Sequence, residues 1–215
     1  MRRALVTGGI MLMGGLAAAL EIIVCDATRD AVYRLSDPDG SEIITVEEVA
    51  AVYDDAAAGP DLSTPAGLCV RGGALFMLDG GTLDAVLRLE DLDGDGAFFG
   101  EGEAAAFYSP ACPGHVLRTP NRLCEREGVF ALADDSLTGA RLVLLEDRDG
   151  DGAACGEGEA RVFYEAAAAT APAAPEDPEA LCMPAGGVLL VGDGTDGTVY
   201  RMEDLDGDGA ARTAD

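Results

Sequence analysis

Lysine, glutamine and tryptophan do not occur in this chain, and histidine and asparagine occur once each, as His115 and Asn121. All 14 cationic residues are therefore arginine, set against 40 Asp and Glu, for a formal net charge of −26. So acidic a surface repels phosphate backbones, which excludes nucleic acid as a partner. There is no Gly-x-Ser-x-Gly, and serines such as Ser63 and Ser109 have no base beside them in sequence, so serine-type acyl transfer is not indicated. No Gly-x-Gly-x-x-Gly opens a helix, so no phosphate cradle is expected either. Outside residues 1–20 no apolar run approaches the ~20 residues needed to cross a bilayer, and no transmembrane segment is expected.

Cysteine is also sparse, at 6 in 215 residues, which is too few for a disulfide scaffold. Cys69, Cys124 and Cys182 recur in one phase, each after a leucine. Equivalent positions of successive repeats are seldom within bridging distance, so these read as small buried hydrophobes before disulfides or a thiolate metal site. Cys25, Cys112 and Cys155 share no such register. Cys112 and His115 could contact a metal, but zinc wants four ligands, and an exposed turn is the plainer reading.

What the chain has in abundance is aspartate, arranged in register. Asp91-Leu92-Asp93-Gly94-Asp95-Gly96 is followed by Glu101 and Glu103. The pattern returns as Asp147, Asp149 and Asp151 with Glu157 and Glu159, and as Asp204, Asp206 and Asp208. A degraded copy precedes them, Asp37 and Asp39 with Ser41, then Glu47 and Glu48. Alternating carboxylates around a glycine turn, with a later glutamate, describe an oxygen cage for Ca²⁺. Acidic surface turns would share the Asp and Gly but do not require the trailing glutamates. Bound cations would also relieve the self-repulsion that so acidic a chain carries. A surface adapted to high salt would look acidic and lysine-poor as well.

The spacing sets the architecture. Asp37 to Asp91 is 54 residues, Asp91 to Asp147 is 56 and Asp147 to Asp204 is 57. Such blocks hold about four short strands each. In the second block these are expected over 67–71, 74–78, 84–90 and 104–108, the second being near-continuously apolar as in a sheet buried on both faces. The third block offers 123–126, 129–133, 141–145 and 161–164, and the fourth 181–183, 188–191 and 198–202. In the first block 22–26, 31–35 and 49–53 are strands, the last despite its alanines, because of its place in the repeat. Phe107-Tyr108 and Phe163-Tyr164 sit at matched strand positions and read as core. Longer polar loops run over 54–64, 109–121 and 165–179. The last is rich in Ala and Pro and is expected to be extended or mobile.

Four-stranded units with a Gly-Leu start, a Leu-Asp-Gly-Gly or Val-Gly-Asp-Gly turn and an Asp-Ala-Val-Leu-Arg-Leu strand resemble β-propeller blades, nearest the NHL and lactonase-like types. Residues 67–90, 122–146 and 180–203 carry the resemblance, and 15–36 more loosely. It implies an all-β fold, a propeller of about four four-stranded blades, over about 15–54, 66–109, 122–165 and 180–215. Residues 3–7 could supply the last strand of the fourth blade and 15–18 the first strand of the first. Alternatively residues 1–20 are a signal peptide, or the ring is incomplete or part of a larger propeller, in which case copies could associate. The Asp-Gly loops are similar to those of EF-hands and dockerins. They differ at loop position 12, which is Gly102 or Gly158 where an EF-hand has a bidentate Glu. The closing acid therefore lies between Glu101 and Glu103, and between Glu157 and Glu159.

The expected function is a calcium-stabilised, non-enzymatic binding module in an extracellular or periplasmic setting, meeting a protein or glycan on the long-loop face. The other reading is a lactonase- or lyase-like enzyme with a metal on the propeller axis, built from aspartates such as Asp79, Asp134 and Asp193. The resemblance supplies no residue-by-residue match for that site, because such enzymes use Asn or His and only Asn121 and His115 exist here.

Overall fold

The run 74–78 has no polar face to offer water, and the β-strand that holds it, Ala74–Asp79, is buried along its whole length. The computed structural model describes residues 10–13, 20–114, 116–136, 139–166 and 175–211. Among the described residues the strands are β1 Ile10–Met13, β2 Leu20–Asp26, β3 Ala31–Asp37, β4 Val49–Tyr53, β5 Pro65–Arg71, β6 Ala74–Asp79, β7 Ala85–Leu89, β8 Ala104–Tyr108, β9 Pro120–Arg126, β10 Val129–Ser136, β11 Gly139–Glu146, β12 Ala160–Glu165, β13 Pro178–Cys182, β14 Leu189–Asp193 and β15 Val199–Met202. They form four antiparallel sheets in sequential order: β1–β4, β5–β8, β9–β12, and the three strands β13–β15. A 3-10 turn, Val46–Glu48, precedes β4.

The all-β expectation holds, and the alanine-rich segment 49–53 is indeed a strand. The first strand of the first sheet is Ile10–Met13, paired with Glu21–Val24. The expected position, 15–18, lies outside the described residues, as do the closing segment 3–7, His115 and most of the Ala/Pro loop.

Two compact units divide the chain. One comprises Met1–Leu83 with Leu87–Ala105, the other Asp84–Val86 with Ala106–Asp215, so the division passes through β7 and β8. In the first unit Val32, Val52, Tyr53, Met77 and Leu89 form a buried cluster between the first two sheets. In the second, Ala131, Leu142, Phe163, Tyr164, Val191 and Met202 do the same for the last two.

A device shared by three repeats opens each sheet. β5, β9 and β13 all begin with proline, opposite a buried aspartate: Pro65 with Asp79, Pro120 with Asp134, Pro178 with Asp193. The register shifts by one residue beside each pair, which lets a residue without an N–H start the strand.

Candidate metal centres

Each carboxylate loop leaves the third strand of its sheet and turns on its own side chains. Asp91 Oδ1 accepts the Gly94 N–H at 2.7 Å and its Oδ2 the Gly96 N–H at 2.9 Å. Asp93 accepts the Asp95 N–H at 3.0 Å, and Asp95 the Ala97 N–H at 2.7 Å. Gly94 and Gly96 stand at φ +80° and +83°, a left-handed region where a side chain would be strained. The third loop repeats the scheme, Asp147 accepting from Gly150 at 2.7 Å and Gly152 at 3.1 Å. In the fourth, Asp204 accepts from Gly207 at 2.7 Å and Gly209 at 2.9 Å.

This winding gathers the carboxylates. Oxygens of Asp91, Asp93 and Asp95 lie within 4.8 Å of one another, as do those of Asp147, Asp149 and Glu159, of Asp204, Asp206 and Asp208, and of Asp37, Asp39 and Glu48. These clusters could hold metal ions, since hard oxygen donors at such spacing repel one another without a cation. In the first loop the Ser41 N–H is shared by Asp37 at 3.0 Å and Asp39 at 2.9 Å. Asp151 is exposed and accepts the Ala153 N–H at 2.9 Å.

Position and burial separate the two glutamates of each loop. Glu103 is 3% exposed and Glu159 4%, whereas Glu101 and Glu157 face solvent. Glu103 Oε1 accepts from Leu92 at 2.9 Å and Asp93 at 3.3 Å, and its Oε2 accepts from Gly100 at 2.6 Å. Glu159 does the same with Arg148, Asp149 and Gly156. In the first loop Glu48 Oε2 accepts the Thr45 N–H at 2.7 Å, again three residues back. A Cβ on Gly100 or Gly156 would sit 2.8 Å from the glutamate oxygen, so any other residue there would push the glutamate aside. The N–H groups of Arg148 and Gly156, against the opposing effect of burial, hold the Glu159 carboxyl below its ordinary value.

The loops also dock on the last strand of the sheet before them. Phe98 N–H donates to the Val52 carbonyl in β4 at 2.8 Å, Ala154 to Phe107 in β8 at 2.7 Å, and Ala211 to Phe163 in β12 at 2.6 Å. Arginines reinforce two of these junctions: Arg34 Nη1 donates to the Gly96 carbonyl at 3.0 Å, and Arg161 Nη1 to that of Gly209. At the middle junction a disulfide, Cys112–Cys155, ties the segment after β8 to the third loop. Repeat phase did not point to it, because the two cysteines occupy different positions in their repeats. Cys112 is therefore engaged, and the alternative of a metal shared with His115 loses its thiol.

At the other end of the sheets stand the recurrent aspartates. Asp79 accepts from the Ser63, Thr64 and Gly81 N–H groups and the Ser63 hydroxyl, at 2.8 to 3.1 Å. Asp134 accepts from Arg118 and Thr119, both at 2.9 Å. Asp193 accepts from Glu176, Asp177, Thr195 and Asp196 at 2.6 to 3.1 Å. Burial opposes the Asp193 charge, but these four N–H bonds outweigh it and hold the carboxyl below its ordinary value. The three carboxylates latch the long loops to β6, β10 and β14. Nearby, burial and then the charges of Asp177, Asp134 and Glu179 push Asp135 up. Burial and then Asp55, Asp79 and Asp26 do the same to Asp30. Asn121 lies in β9, half-buried.

A cavity of about 640 Å³ opens beside the fourth loop, between Arg126, Arg161, Phe163, Glu203 and Asp204. Its walls mix apolar side chains with both signs of charge.

No protein-family model matches the sequence, and no curated protein matches it. Among solved structures the chain is similar to one in a crystal structure of the nidogen/laminin complex, at 14% identity and a TM-score of 0.51. That match covers 81% of this chain and 54% of the other, so the chain spans about half the length of its solved neighbour. A crystal structure of the computationally designed Ika4 protein matches at 11% identity, a TM-score of 0.48 and 90% of each chain.

Proposed function

We propose that this chain is a β-propeller of about four blades, of NHL or lactonase-like type, stapled by Ca²⁺ and serving as a non-enzymatic binding module. The observation that carries the reading is the docking of three carboxylate loops on the strand before them. An ion held in such a loop stabilises two sheets at once. Four sheets in sequential order, and the likeness to a chain of the nidogen/laminin complex, support the ring. The choice of calcium follows from the donors, which are all hard oxygens at loop spacing. An extracellular or periplasmic setting accords with the disulfide, which persists in oxidising compartments.

The enzyme reading needs carboxylates available on the axis, and Asp79, Asp134 and Asp193 are spent on latching loops. The long loops that they hold are the natural surface for a protein or glycan ligand, because loops on a rigid scaffold carry recognition. Calorimetry with calcium tests the reading. Uptake on the order of 10⁻⁴ to 10⁻³ M is expected, with a rise in melting temperature by mass action. No uptake, and no change in melting on chelation, would overturn it.

A further inference from the structure

Cys124 in β9 and Cys182 at the end of β13 occupy the same phase of successive repeats, and both belong to the second unit. β13 packs along β9. Arg122 sets their alignment: its Nε donates to the Glu179 carbonyl and its Nη2 pairs with the Glu179 carboxylate. Two residues further along β9 is Cys124, and three further along β13 is Cys182. The backbone of Met183, the residue after Cys182, lies near the Cys124 thiol, as does that of the cross-strand neighbour Ala131. Cys182 is exposed and Cys124 half-buried.

We propose that Cys124 and Cys182 form a second, redox-dependent disulfide that joins β9 to β13, with a small-molecule disulfide as the oxidant. The Cys182 thiolate attacks one sulfur of the oxidant, which forms a mixed disulfide and releases one small thiol. Cys124 loses its proton to solvent, attacks the Cys182 sulfur and expels the second small thiol. Two cysteine thiols are oxidised and one external disulfide is reduced to two thiols. The order of attack follows from access: Cys182 meets solvent, whereas burial and then the neighbouring Cys182 push the Cys124 thiol up to about 12. The second step is therefore the slow one. The bond would pin the turn after β13, whose Met183, Gly186 and Gly187 line the cavity beside the fourth loop.

The experiment treats the purified chain, with Cys112–Cys155 intact, with oxidised glutathione, then denatures it, alkylates it and weighs it. Alkylated sites should fall from the four thiols to two. Arginine-specific cleavage should recover peptide 123–126 joined to peptide 162–201. Cys124→Ser should instead stop at a glutathione adduct on Cys182, and Cys182→Ser should keep all its remaining thiols. Four labelled sites persisting in the parent chain, or a cross-link mapped to Cys25 or Cys69, would overturn the proposal.

Discussion

Arg34 in β3 reaches out of the first sheet and donates to the carbonyl of Gly96, at 3.0 Å, inside the carboxylate loop of the second. The contact is close enough that a Cβ on Gly96 would lie 2.6 Å from the guanidinium. The first sheet thus shapes a loop that the second sheet supplies. Arg34→Ala should weaken calcium uptake by the second loop about 5-fold, roughly the loss of one hydrogen bond of about 1 kcal/mol. Calorimetry on a chain also carrying Asp39→Ala, Asp149→Ala and Asp206→Ala isolates that loop, and an unchanged affinity would contradict the role assigned to Arg34.

The two glutamates of a loop should separate sharply in mutagenesis. Glu103→Ala strands three backbone N–H groups in a buried place and should cost about 2 kcal/mol even with calcium chelated. Glu101→Ala, on the surface, should stay within about 0.5 kcal/mol. Urea unfolding in chelator and in calcium reads both, and a larger loss at Glu101 would reverse the assignment.

Acid should loosen the latches. Asp193 and Glu159 titrate below their ordinary values when folded, so the stability they contribute is present above the unfolded-state values of 3.8 and 4.5. It is lost as pH falls through the lower folded values. Asp30 and Asp135, raised when folded, act with the opposite sign: their contribution is present at low pH and lost as pH rises through their folded values. Melting temperature followed from pH 6 downward in chelator should fall, and Asp193→Asn should flatten part of that fall (pH values of about this range follow from carboxylate titration). A parallel curve for the variant would show that Asp193 contributes nothing through its charge.

Losing the Cys112–Cys155 disulfide should cost about 4 kcal/mol, given the long loop it closes. Because Cys155 lies within the third loop, the Cys112→Ser, Cys155→Ser chain should also bind calcium more weakly there than at the second loop. Denaturant midpoints and site-resolved calcium titration by NMR measure the two effects separately.

Most strands were legible because a buried strand is an uninterrupted apolar run and the aspartates marked the period. Their first residues were not, since Pro65, Pro120 and Pro178 look like loop and are strand only because a bulge and a buried aspartate accommodate them. Ile10–Met13 was displaced in expectation to 15–18 because Gly15-Leu16 mimics Gly67-Leu68, although the β1–β2 connection is longer than the glycine turns elsewhere. At the sites, the aspartates follow from spacing. The inner glutamate follows only from which of two near neighbours can reach the N–H three residues back. Cys112–Cys155 escaped because phase compares equivalent positions, and this bond joins unlike ones.

Docking each loop on the strand before it has a consequence for how the molecule comes apart. In a row of similar elements that touch only their neighbours, cooperativity resides in the couplings between elements. Here the couplings Val52–Phe98, Phe107–Ala154 and Phe163–Ala211 pass through the carboxylate loops. An occupied loop is a stiff joint and an empty one a loose joint. Calcium would then govern how many sheets unfold together as well as how stable each is, and in a calcium-poor chain the coupling falls to the buried clusters that adjacent sheets share.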